Sequence, residues 1–418
     1  MGGGDSLKGT MSDLDGTPHG KLSDLASTAG LSLQGASVRR SSSRFCLGVE
    51  HGDYNGTELF GVGTDRFIWM AYKANDTGRL RLFSGNFAAD GLIDFPLDAI
   101  PEPGMDGDSW ARFPLGVAWV LKREGYNLTR GMDAVIHGNI PGGGMSRSAS
   151  LTLNLMLSLA EINGIPLGRD MRTVDLAQAV ENDYIGSPCG NLDQIMILFA
   201  QAGMGTHYIP STRSIRHVPL GSEAPDFRIM SLDTGTMRPG LEKSTFSIRV
   251  AECRELVGLC KEFGISALAE VQDADLYSKI LSKFGTSHPH LCKRLQYLFG
   301  AQKRFVEMLG AWQQGDISRV GKIFREDGLG LRDEYEISGR ELETMCDIAR
   351  TVPGVLGERM LGGGDKGASG ALVLPESEQA LREAVATAYP RSHPAYSDSF
   401  AVHSCRMVDG ITVLPGRD

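Results

Sequence analysis

A run of three glycines, Gly142 to Gly144, constrains the fold of this chain more than any other feature, because an apolar helical run follows it closely at 151–160. Glycine accepts positive φ and lets the backbone approach a ligand closely. A Ser-Arg-Ser-Ala-Ser cluster at 146–150 stands where the helix would begin. A helix starting there points its free N–H groups and the positive end of its dipole into the loop, which suits an anion. A plain glycine turn with a serine N-cap would use the same residues.

The segment before the glycines, 134–140, reads as a strand, so the order is strand, glycine loop, helix. That order is the context that an anion-binding loop requires. The loop is not a Walker A loop, because it lacks Gly-Lys-Ser or Gly-Lys-Thr. It is not a dinucleotide fingerprint either, because Gly-x-Gly-x-x-Gly is absent from it.

Five polar or aromatic-polar side chains crowd into the six positions 50–55: Glu50, His51, Asp53, Tyr54 and Asn55. Such a cluster offers many hydrogen-bond donors and acceptors in a small space, as a sugar requires, since each hydroxyl both donates and accepts. A polar turn between two strands is the alternative. Metal ligation by His51 is disfavoured, because no second histidine lies near it in the sequence.

Two further segments carry candidate ligand contacts. Trp110 and Phe113 lie three apart on one face of a helix predicted over 108–121, where they would either stack on an adenine or join the core. Asp193 follows a glycine-bearing turn and begins the apolar run 195–199. Its carboxylate is either a favourable charge at a helix N-terminus or a general base beside a substrate hydroxyl.

Bulk properties narrow the class of protein. A chain of 418 residues is long enough for two domains, and its net charge of −9 argues against nucleic-acid binding. No apolar run approaches the roughly 20 residues that span a bilayer, and no secretory signal is evident. The seven cysteines are scattered without a Cys-x-x-Cys pair, so we expect neither zinc nor disulfides, and a reducing cytoplasmic location.

Residues 1–42 are rich in Gly, Ser, Thr and Asp, which predicts a largely disordered extension, with 39–43 as a solvated linker. The second half reads as alternating strands and helices. Strands are predicted at 227–232, 371–374 and 411–414, and helices at 248–263, 290–315, 337–351 and 376–388. Another glycine segment, 362–367, precedes the strand at 371 and is either a tight turn or a ligand contact.

Four segments in this order resemble the galactokinase branch of the GHMP small-molecule kinases, over roughly 44–415. The first motif of that family is matched by Arg44, Glu50, His51, Asp53 and Tyr54 at the family's spacing. Its phosphate loop resembles 141–150, its Pro-Cys-Gly-x-x-Asp-Gln segment is 188–194, and its last glycine motif resembles 359–367.

The resemblance implies an α+β fold of two domains with the active site in the cleft between them. We expect a ribosomal-protein-like N-terminal domain over 43–215 and a ferredoxin-like C-terminal domain over 216–418, whose last strand can return to the first domain. ATP and Mg²⁺ are the implied cofactors, and the anomeric hydroxyl of galactose or a related sugar is the implied acceptor.

The implied roles follow residue by residue. Asp193 would take the proton of the anomeric hydroxyl, and Arg44 beside it would stabilise developing phosphoryl charge. Glu50, His51, Asp53 and Gly190 would hold sugar hydroxyls. Ser148 and Glu181 would approach Mg²⁺. The remaining nucleotide contacts would be Trp110 and Phe113 at the adenine and the loop Gly142, Gly143, Gly144, Ser146, Arg147 and Ser148 at the phosphates.

The chain also departs from the family. The phosphate loop is one residue short and carries Arg147 in place of a serine, and Asp365 and Lys366 replace Phe-Gly in the last motif. If Cys253 is the anchor, the family's substrate-contacting tyrosine falls on Phe246, which removes a hydroxyl and leaves the sugar open.

These departures keep three alternatives open. The chain could be a silent sugar and ATP sensor, a kinase for galacturonate or arabinose, or a kinase for a non-sugar alcohol. Retained Glu50 argues against a uronic acid by repulsion if it faces C6. The polar cluster at 50–55 argues against an apolar alcohol. The sequence does not determine the oligomeric state.

Overall fold

Two β-sheets, one of eight strands and one of four, organise the part of the chain that the structure describes. The structure is a computed structural model, and it describes residues 18–104, 109–237 and 244–415. Every helix within those ranges is too short or too polar to cross a bilayer.

The elements of the first half alternate strands with helices. The strands are β1 (Ser37–Gly48), β2 (Leu59–Asn75), β3 (Arg79–Ser84), β4 (Ile93–Pro96), β5 (Gly131–Gly138), β6 (Met204–Ile209) and β7 (Ser214–Pro219). The helices are α1 (His19–Ala29), α2 (Arg112–Arg123), α3 (Arg147–Ile162), α4 (Met171–Ala179) and α5 (Leu192–Leu198), with a π-helical turn at Val180–Ile185 between the last two.

The second half adds a helical block and the smaller sheet. Its helices are α6 (Thr245–Leu259), α7 (Ala274–Phe284), α8 (Pro289–Gln314), α9 (Ile317–Asp333), α10 (Arg340–Arg350) and α11 (Glu378–Ser392). Its strands are β8 (Arg228–Asp233), β9 (Val355–Met360), β10 (Ala368–Val373), β11 (Ala401–Cys405) and β12 (Thr412–Val413).

The larger sheet has the order β12-β1-β2-β5-β3-β4, and β6 and β7 extend from β2. The β3–β5 pair is parallel and the other pairs are antiparallel. Helix α3 packs against β1 and β2 and is buried on nearly every side. This burial explains why the run 151–160 is apolar all round, and it fixes the loop before α3 at the end of β5.

The smaller sheet is antiparallel, with the order β11-β8-β10-β9. Helices α10 and α11 cover it through Met345, Ala349, Leu381 and Val385. In chain order the unit is strand, helix, strand, strand, helix, strand, with α6 to α9 inserted after its first strand. The ferredoxin-like arrangement and the α+β fold class predicted above are therefore confirmed.

The expected disorder of residues 1–42 is wrong for the part that the structure describes. Residues 19–29 form α1, whose Leu22 and Ala26 pack on the larger sheet against Phe67 and Trp69. The few apolar residues of this segment fall on one helix face, so a low average hydrophobicity still buries a stripe. Residues 39–43 are not a solvated linker but belong to β1, where Ser41 to Ser43 are fully buried. Residues 1–17 lie outside the described residues.

Two predicted boundaries need correction. The division at 215/216 falls inside β7, which pairs with β6 in the larger sheet, so this sheet continues to Pro219. The predicted helix over 108–121 begins later, at Arg112, and Trp110 lies in the turn before it. The short strand β12 pairs with β1, at Arg39 and Arg40, although it follows the smaller sheet in the sequence.

The two sheets meet at Gly370 of β10. A Cβ built there would lie 2.6 Å from Cζ of Phe45 in β1 and 3.1 Å from Cδ1 of Leu361. Phe45 is fully buried and stacks on Phe324 of α9 at 5.3 Å between ring centroids. The glycine therefore provides the space in which one aromatic ring links both sheets to the helical block.

We predict that Gly370→Ala destabilises the fold by about 1 to 3 kcal/mol, because the added methyl overpacks this contact. The matched control is Gly258→Ala. Gly258 is exposed within α6 with nothing near its Cβ position, so alanine there stabilises by about 0.5 to 1 kcal/mol. Chemical denaturation measures both. Equal stability of Gly370→Ala and the wild type would contradict the packing described here.

Candidate active site

Two cavities meet between the sheets. The large cavity, of about 340 Å³, is lined by the glycine loop, by aromatic side chains and by Glu181. The small cavity, of about 40 Å³, is lined by Glu50, His51, Asp53, Gly190 and Phe246, among others. Four residues line both cavities: Arg44, Asp193, Gly362 and Gly363. Chemistry between a ligand in one cavity and a ligand in the other would take place beside them.

Arg44 and Asp193 form an ion pair at this boundary. Nε of Arg44 lies 2.8 Å and Nη2 2.7 Å from Oδ1 of Asp193. Arg44 projects from β1 and is almost fully buried, whereas Asp193 stands in the first turn of α5 with a third of its side chain exposed. Burial alone would lower the pKa of Arg44, but Asp193 and Glu50 raise it overall, so the guanidinium is charged. The aspartate oxygens are thus oriented by a fixed cation and still face the cavity.

Glu50 lies between two guanidinium groups. Its Oε1 is 3.2 Å from Nη2 of Arg44, and its Oε2 is 2.8 Å from Nη2 of Arg359. Arg359, on β9, also pairs with Asp327 of α9 and donates to the carbonyl of Cys46. The family motif predicts Glu50 at the sugar, but it predicts no role for Arg359 or Asp327. Arg359 is 309 residues from Glu50 and 32 residues from Asp327, so no local sequence pattern connects them.

His51 belongs to a buried hydrogen-bond chain. Its Nδ1 lies 3.0 Å from the hydroxyl of Tyr54, which lies 2.7 Å from the hydroxyl of Tyr335. The Tyr335 hydroxyl also lies 3.2 Å from Sγ of Cys253. Phe246 packs against the His51 ring at 5.4 Å between centroids and lines the small cavity. Phe246, which takes the place of the family's tyrosine if Cys253 is the anchor, therefore forms part of this wall. Tyr335, which was not predicted from the sequence, packs against the His51 ring at 5.2 Å between centroids.

Asp53 and Gly190 lie in direct contact in the small cavity. A Cβ at Gly190 would overlap the Asp53 carboxylate, so glycine is required there. Oδ2 of Asp53 accepts from the backbone N–H of Leu192 at 3.2 Å. Burial raises the pKa of Asp53 to about 6, and the nearby Asp193 adds to the effect. With a pKa of about 6, the Asp53 carboxyl changes its charge just below neutral pH.

The first glycine loop is held against the second one. Gly144 has φ +83°, and a Cβ there would lie 3.0 Å from the carbonyl of Ala368 and 3.1 Å from that of Leu361. Its own carbonyl accepts from Nη1 of Arg44 at 3.2 Å. Ser146 caps the loop in the left-handed conformation, and its buried Oγ has no hydrogen-bond partner among the described atoms. This hydroxyl is therefore a candidate donor to a ligand held by the loop.

Ser148 and Glu181 meet on the other side of the loop. Oγ of Ser148 donates to Oε2 of Glu181 at 3.3 Å, and Nε2 of Gln194 donates to Oε1 at 3.2 Å. Burial and the nearby Asp193 raise the pKa of Glu181 to about 8, against smaller opposing effects of Ser148 and Arg112. A cation beside this carboxylate would offset the cost of burying its charge.

The predicted aromatic residues line the far end of the large cavity. Trp110 is buried, and its Nε1 has no hydrogen-bond partner among the described atoms. Phe87 stacks parallel to Trp110 at 6.4 Å between centroids, and Phe113 lines the same end. Phe87 was missed because it stands in a short turn without periodicity. Trp110 also belongs to the hydrophobic core, the other role predicted for it, since it is 5% exposed and packs in the larger core cluster.

The departures in the last glycine motif have a structural explanation. Asp365 stands at φ 59°, a conformation that Asp tolerates better than most residues. Its Oδ2 accepts from the backbone N–H of Thr245 at 2.8 Å, and Thr245 is the first residue of α6. Phe246 follows directly. Asp365 therefore fixes the start of the helix that carries one wall of the small cavity, while Lys366 lies outside both cavities.

Comparison with known proteins shows the family to which the chain belongs. The family described as GHMP kinases N terminal domain matches residues 112–201. The galactokinase of Limosilactobacillus fermentum is 30% identical over 90% of this chain and 95% of its own, and that of Enterococcus faecalis is 31% identical over 81% and 86%. The crystal structure of Lactococcus lactis galactokinase complexed with galactose superposes with a TM-score of 0.86, at 28% identity over 95% of this chain and 99% of its own. The Methanococcus jannaschii mevalonate kinase shares the fold, with a TM-score of 0.62 at 16% identity.

Fold and comparisons together define a small-molecule kinase of the GHMP class, with a glycine loop between two sheets. Within that class, the chain belongs to the galactokinase family.

We predict that Asp365→Ala loosens the first turn of α6, because it removes the acceptor of the Thr245 N–H. Losing the acceptor of one N–H in the first turn costs about 1 kcal/mol, comparable to the loss of a helix cap, so amide exchange at 245–248 rises about fivefold to tenfold, although the N-cap Ser244 remains. Asp365→Asn retains an acceptor oxygen and serves as the rescue variant. Asp347→Ala, at an exposed carboxylate of α10, is the control. Hydrogen exchange with mass spectrometry measures all three, and unchanged exchange in Asp365→Ala would remove the role assigned to this contact.

Proposed function

We propose that this protein is an ATP-dependent kinase that transfers the γ-phosphoryl group to the anomeric hydroxyl of galactose or a closely related sugar. One observation carries the proposal: the Arg44–Asp193 ion pair lies where the aromatic-lined large cavity meets the polar small cavity. A carboxylate and an arginine at the junction of two ligand sites suit phosphoryl transfer, in which positioning and charge stabilisation dominate.

The sugar binds in the small cavity. Asp53 and His51 supply polar atoms there, and the backbone of Gly190 allows close approach. Glu50 also lines this cavity, but its two oxygens are paired with Arg44 and Arg359. These two cations, which also pair with Asp193 and Asp327, offset part of the Glu50 charge, so repulsion by this carboxylate is a weaker argument against a uronic acid. Phe246 lines this cavity and, if Cys253 is the anchor, stands where the family has a tyrosine, which favours a substrate with one fewer polar contact at that wall.

ATP binds in the large cavity. The adenine would lie beside the aromatic side chains of Trp110, Phe87 and Phe113, which line the large cavity. The phosphates would lie along the loop from Gly142 to Ser148, where Ser146 and the N-terminus of α3 line the cavity. The γ-phosphate then points toward Arg44.

Mg²⁺ fits between the Ser148 hydroxyl and the Glu181 carboxylate. Within the described residues no cluster of three or more His, Cys, Asp or Glu side chains could hold a metal alone. Mg²⁺ prefers few protein ligands and completes its shell with phosphate oxygens and water, so two side chains suffice. The ion would supply neutralisation of phosphate charge.

In the reaction, Asp193 accepts the proton of the anomeric hydroxyl as the oxygen attacks phosphorus. Arg44 keeps the aspartate oxygens toward that hydroxyl, and its cation faces the charge that develops on the transferred group. Asp193 is partly exposed to the cavity, so it reaches a bound sugar without rearrangement of its partner. Gly362 and Gly363 border both cavities and leave room for the transferring phosphoryl group.

Two alternatives remain as outcomes of one experiment. ADP release against galactose, galacturonate, arabinose and other free sugars identifies the acceptor, and sugar binding without ADP release would favour a silent sensor. The retained Arg44–Asp193 contact supports the enzyme.

The seven cysteines, all free thiols in the described residues, support a reducing cytoplasmic location, which fractionation of the tagged protein tests.

Asp193→Ala is expected to lower kcat at least a hundredfold, because proton transfer by a positioned base contributes about 10²- to 10⁴-fold. The affinities for sugar and for ADP stay within a few-fold of the wild type, since Arg44 retains Glu50 as a partner. The unfolding midpoint stays within a few degrees of the wild type for the same reason. Asp183→Ala, at an exposed carboxylate in the neighbouring π-helical turn, is the matched control. Full turnover by Asp193→Ala would sink the mechanism.

Sugar affinity is expected to fall below pH 6. Above that value Asp53 is ionised and accepts hydroxyl donors, whereas protonation removes this capacity. The apparent Kd for galactose then rises toward tenfold per pH unit, and Asp53→Asn abolishes this dependence. The folded-state pKa of Asp53, about 6, exceeds the ordinary value of 3.8, so the fold gains stability from this group as the pH falls and Asp53 is protonated. The loss of sugar affinity below pH 6 therefore does not come from unfolding driven by Asp53. Calorimetric titration between pH 5 and 8 measures it, and a flat profile in the wild type would exclude Asp53 as a charged sugar ligand.

A further inference from the structure

Arg147 stands in the first glycine loop at the position where the family has a serine. It is the first residue of α3, and its side chain lines the large cavity. Its guanidinium carbon lies 5.7 Å from the centroid of the Phe87 ring. Within the described residues it forms no ion pair or hydrogen bond, and Asp233 acts on it only at longer range.

The direction of Arg147 differs from that of Ser148. Successive residues on a helix are rotated by about 100°, so neighbours at its start face different sides of the loop. Ser148 faces Glu181, on the proposed metal side. Arg147 faces Phe87, which stacks on Trp110 at the proposed adenine end. The cation therefore lies on the side of the large cavity that carries Phe87, whereas Ser148 lies on the side that carries Glu181.

The energetics of this arginine favour an anion. Burial lowers the pKa of Arg147, with partial compensation by Asp233, yet a guanidinium keeps its charge at any physiological pH. A half-buried cation with no close counter-charge loses hydration without recovering it in an ion pair. A phosphate in the large cavity would supply that counter-charge with two parallel N–H···O bonds.

We propose that Arg147 binds the phosphates that ATP and ADP share, and so contributes equally to binding of substrate and product nucleotide. The inference rests on the proposed function only in placing a nucleoside phosphate in the large cavity. An interaction made equally in the ground state and the transition state changes KM and not kcat. It also holds ADP after transfer, so Arg147 sets the rate of product release.

Calorimetric titration of Arg147→Met and Arg147→Lys with ADP and with adenosine tests this, with no sugar present. A charge-assisted hydrogen-bond pair predicts about a tenfold to hundredfold loss of ADP affinity in Arg147→Met and a smaller loss in Arg147→Lys. Adenosine affinity is unchanged in both. KM for ATP rises by the same factor as the ADP Kd, with kcat equal to or above the wild type. Arg130→Met, at an exposed arginine outside the cavity, is the matched control.

Each other outcome overturns the proposal. Unchanged ADP affinity in Arg147→Met excludes a phosphate contact. An equal loss for adenosine and ADP assigns Arg147 to the base. A lower kcat with unchanged ADP affinity assigns it to the transition state. If Arg147→Met does not fold, Arg147→Lys carries the same comparison. An Arg147-dependent ADP affinity in a protein that phosphorylates no sugar supports this proposal and refutes the proposed function.

Discussion

A chain of buried charges joins the two sheets, and the geometry of the active site depends on it. Asp193 pairs with Arg44, Arg44 with Glu50, Glu50 with Arg359, and Arg359 with Asp327. Arg359 is fully buried on the smaller sheet, whereas Arg44 lies on the larger one. A buried charge is tolerated only when it is paired, so each member holds the next in place. The orientation of the proposed base is therefore coupled to the packing of one sheet on the other.

Glycines complete the site by allowing backbone to approach backbone. Gly143 and Gly144 pack on Gly362 and Gly367, so the two glycine loops share one wall of the large cavity. Gly190 makes the same kind of approach to Asp53. Side chains at these positions would separate the loops and widen both cavities. The first glycine loop of this chain makes these contacts although it is one residue shorter than the family motif, and Asp365 contacts the start of α6. The departures from the family are thus accommodated within its architecture.

Much of this arrangement was predictable because its signals are local. The strand, glycine loop and helix order predicted β5, the loop and α3, and the spacing of the first motif placed Arg44 and the 50–55 cluster together. Average composition failed for α1, because a stripe of Leu22 and Ala26 suffices to bury a helix whose other residues are polar. Phe87 and Tyr335 carried no signal, because each acts through a contact with residues distant in sequence.

The sequence by itself determined the class of protein and the residues at which chemistry was to be sought, because motifs of glycines, carboxylates and arginine are set by short-range spacing. The tertiary structure decided which of them meet. Arg44 and Asp193 are 149 residues apart, and Glu50 and Arg359 are 309 apart. Burial of apolar surface between two sheets and the helical block brings such pairs together, and no local pattern encodes that contribution. The tertiary structure also decided the direction of Arg147, which follows from the rotation of α3 against the aromatic end of the large cavity.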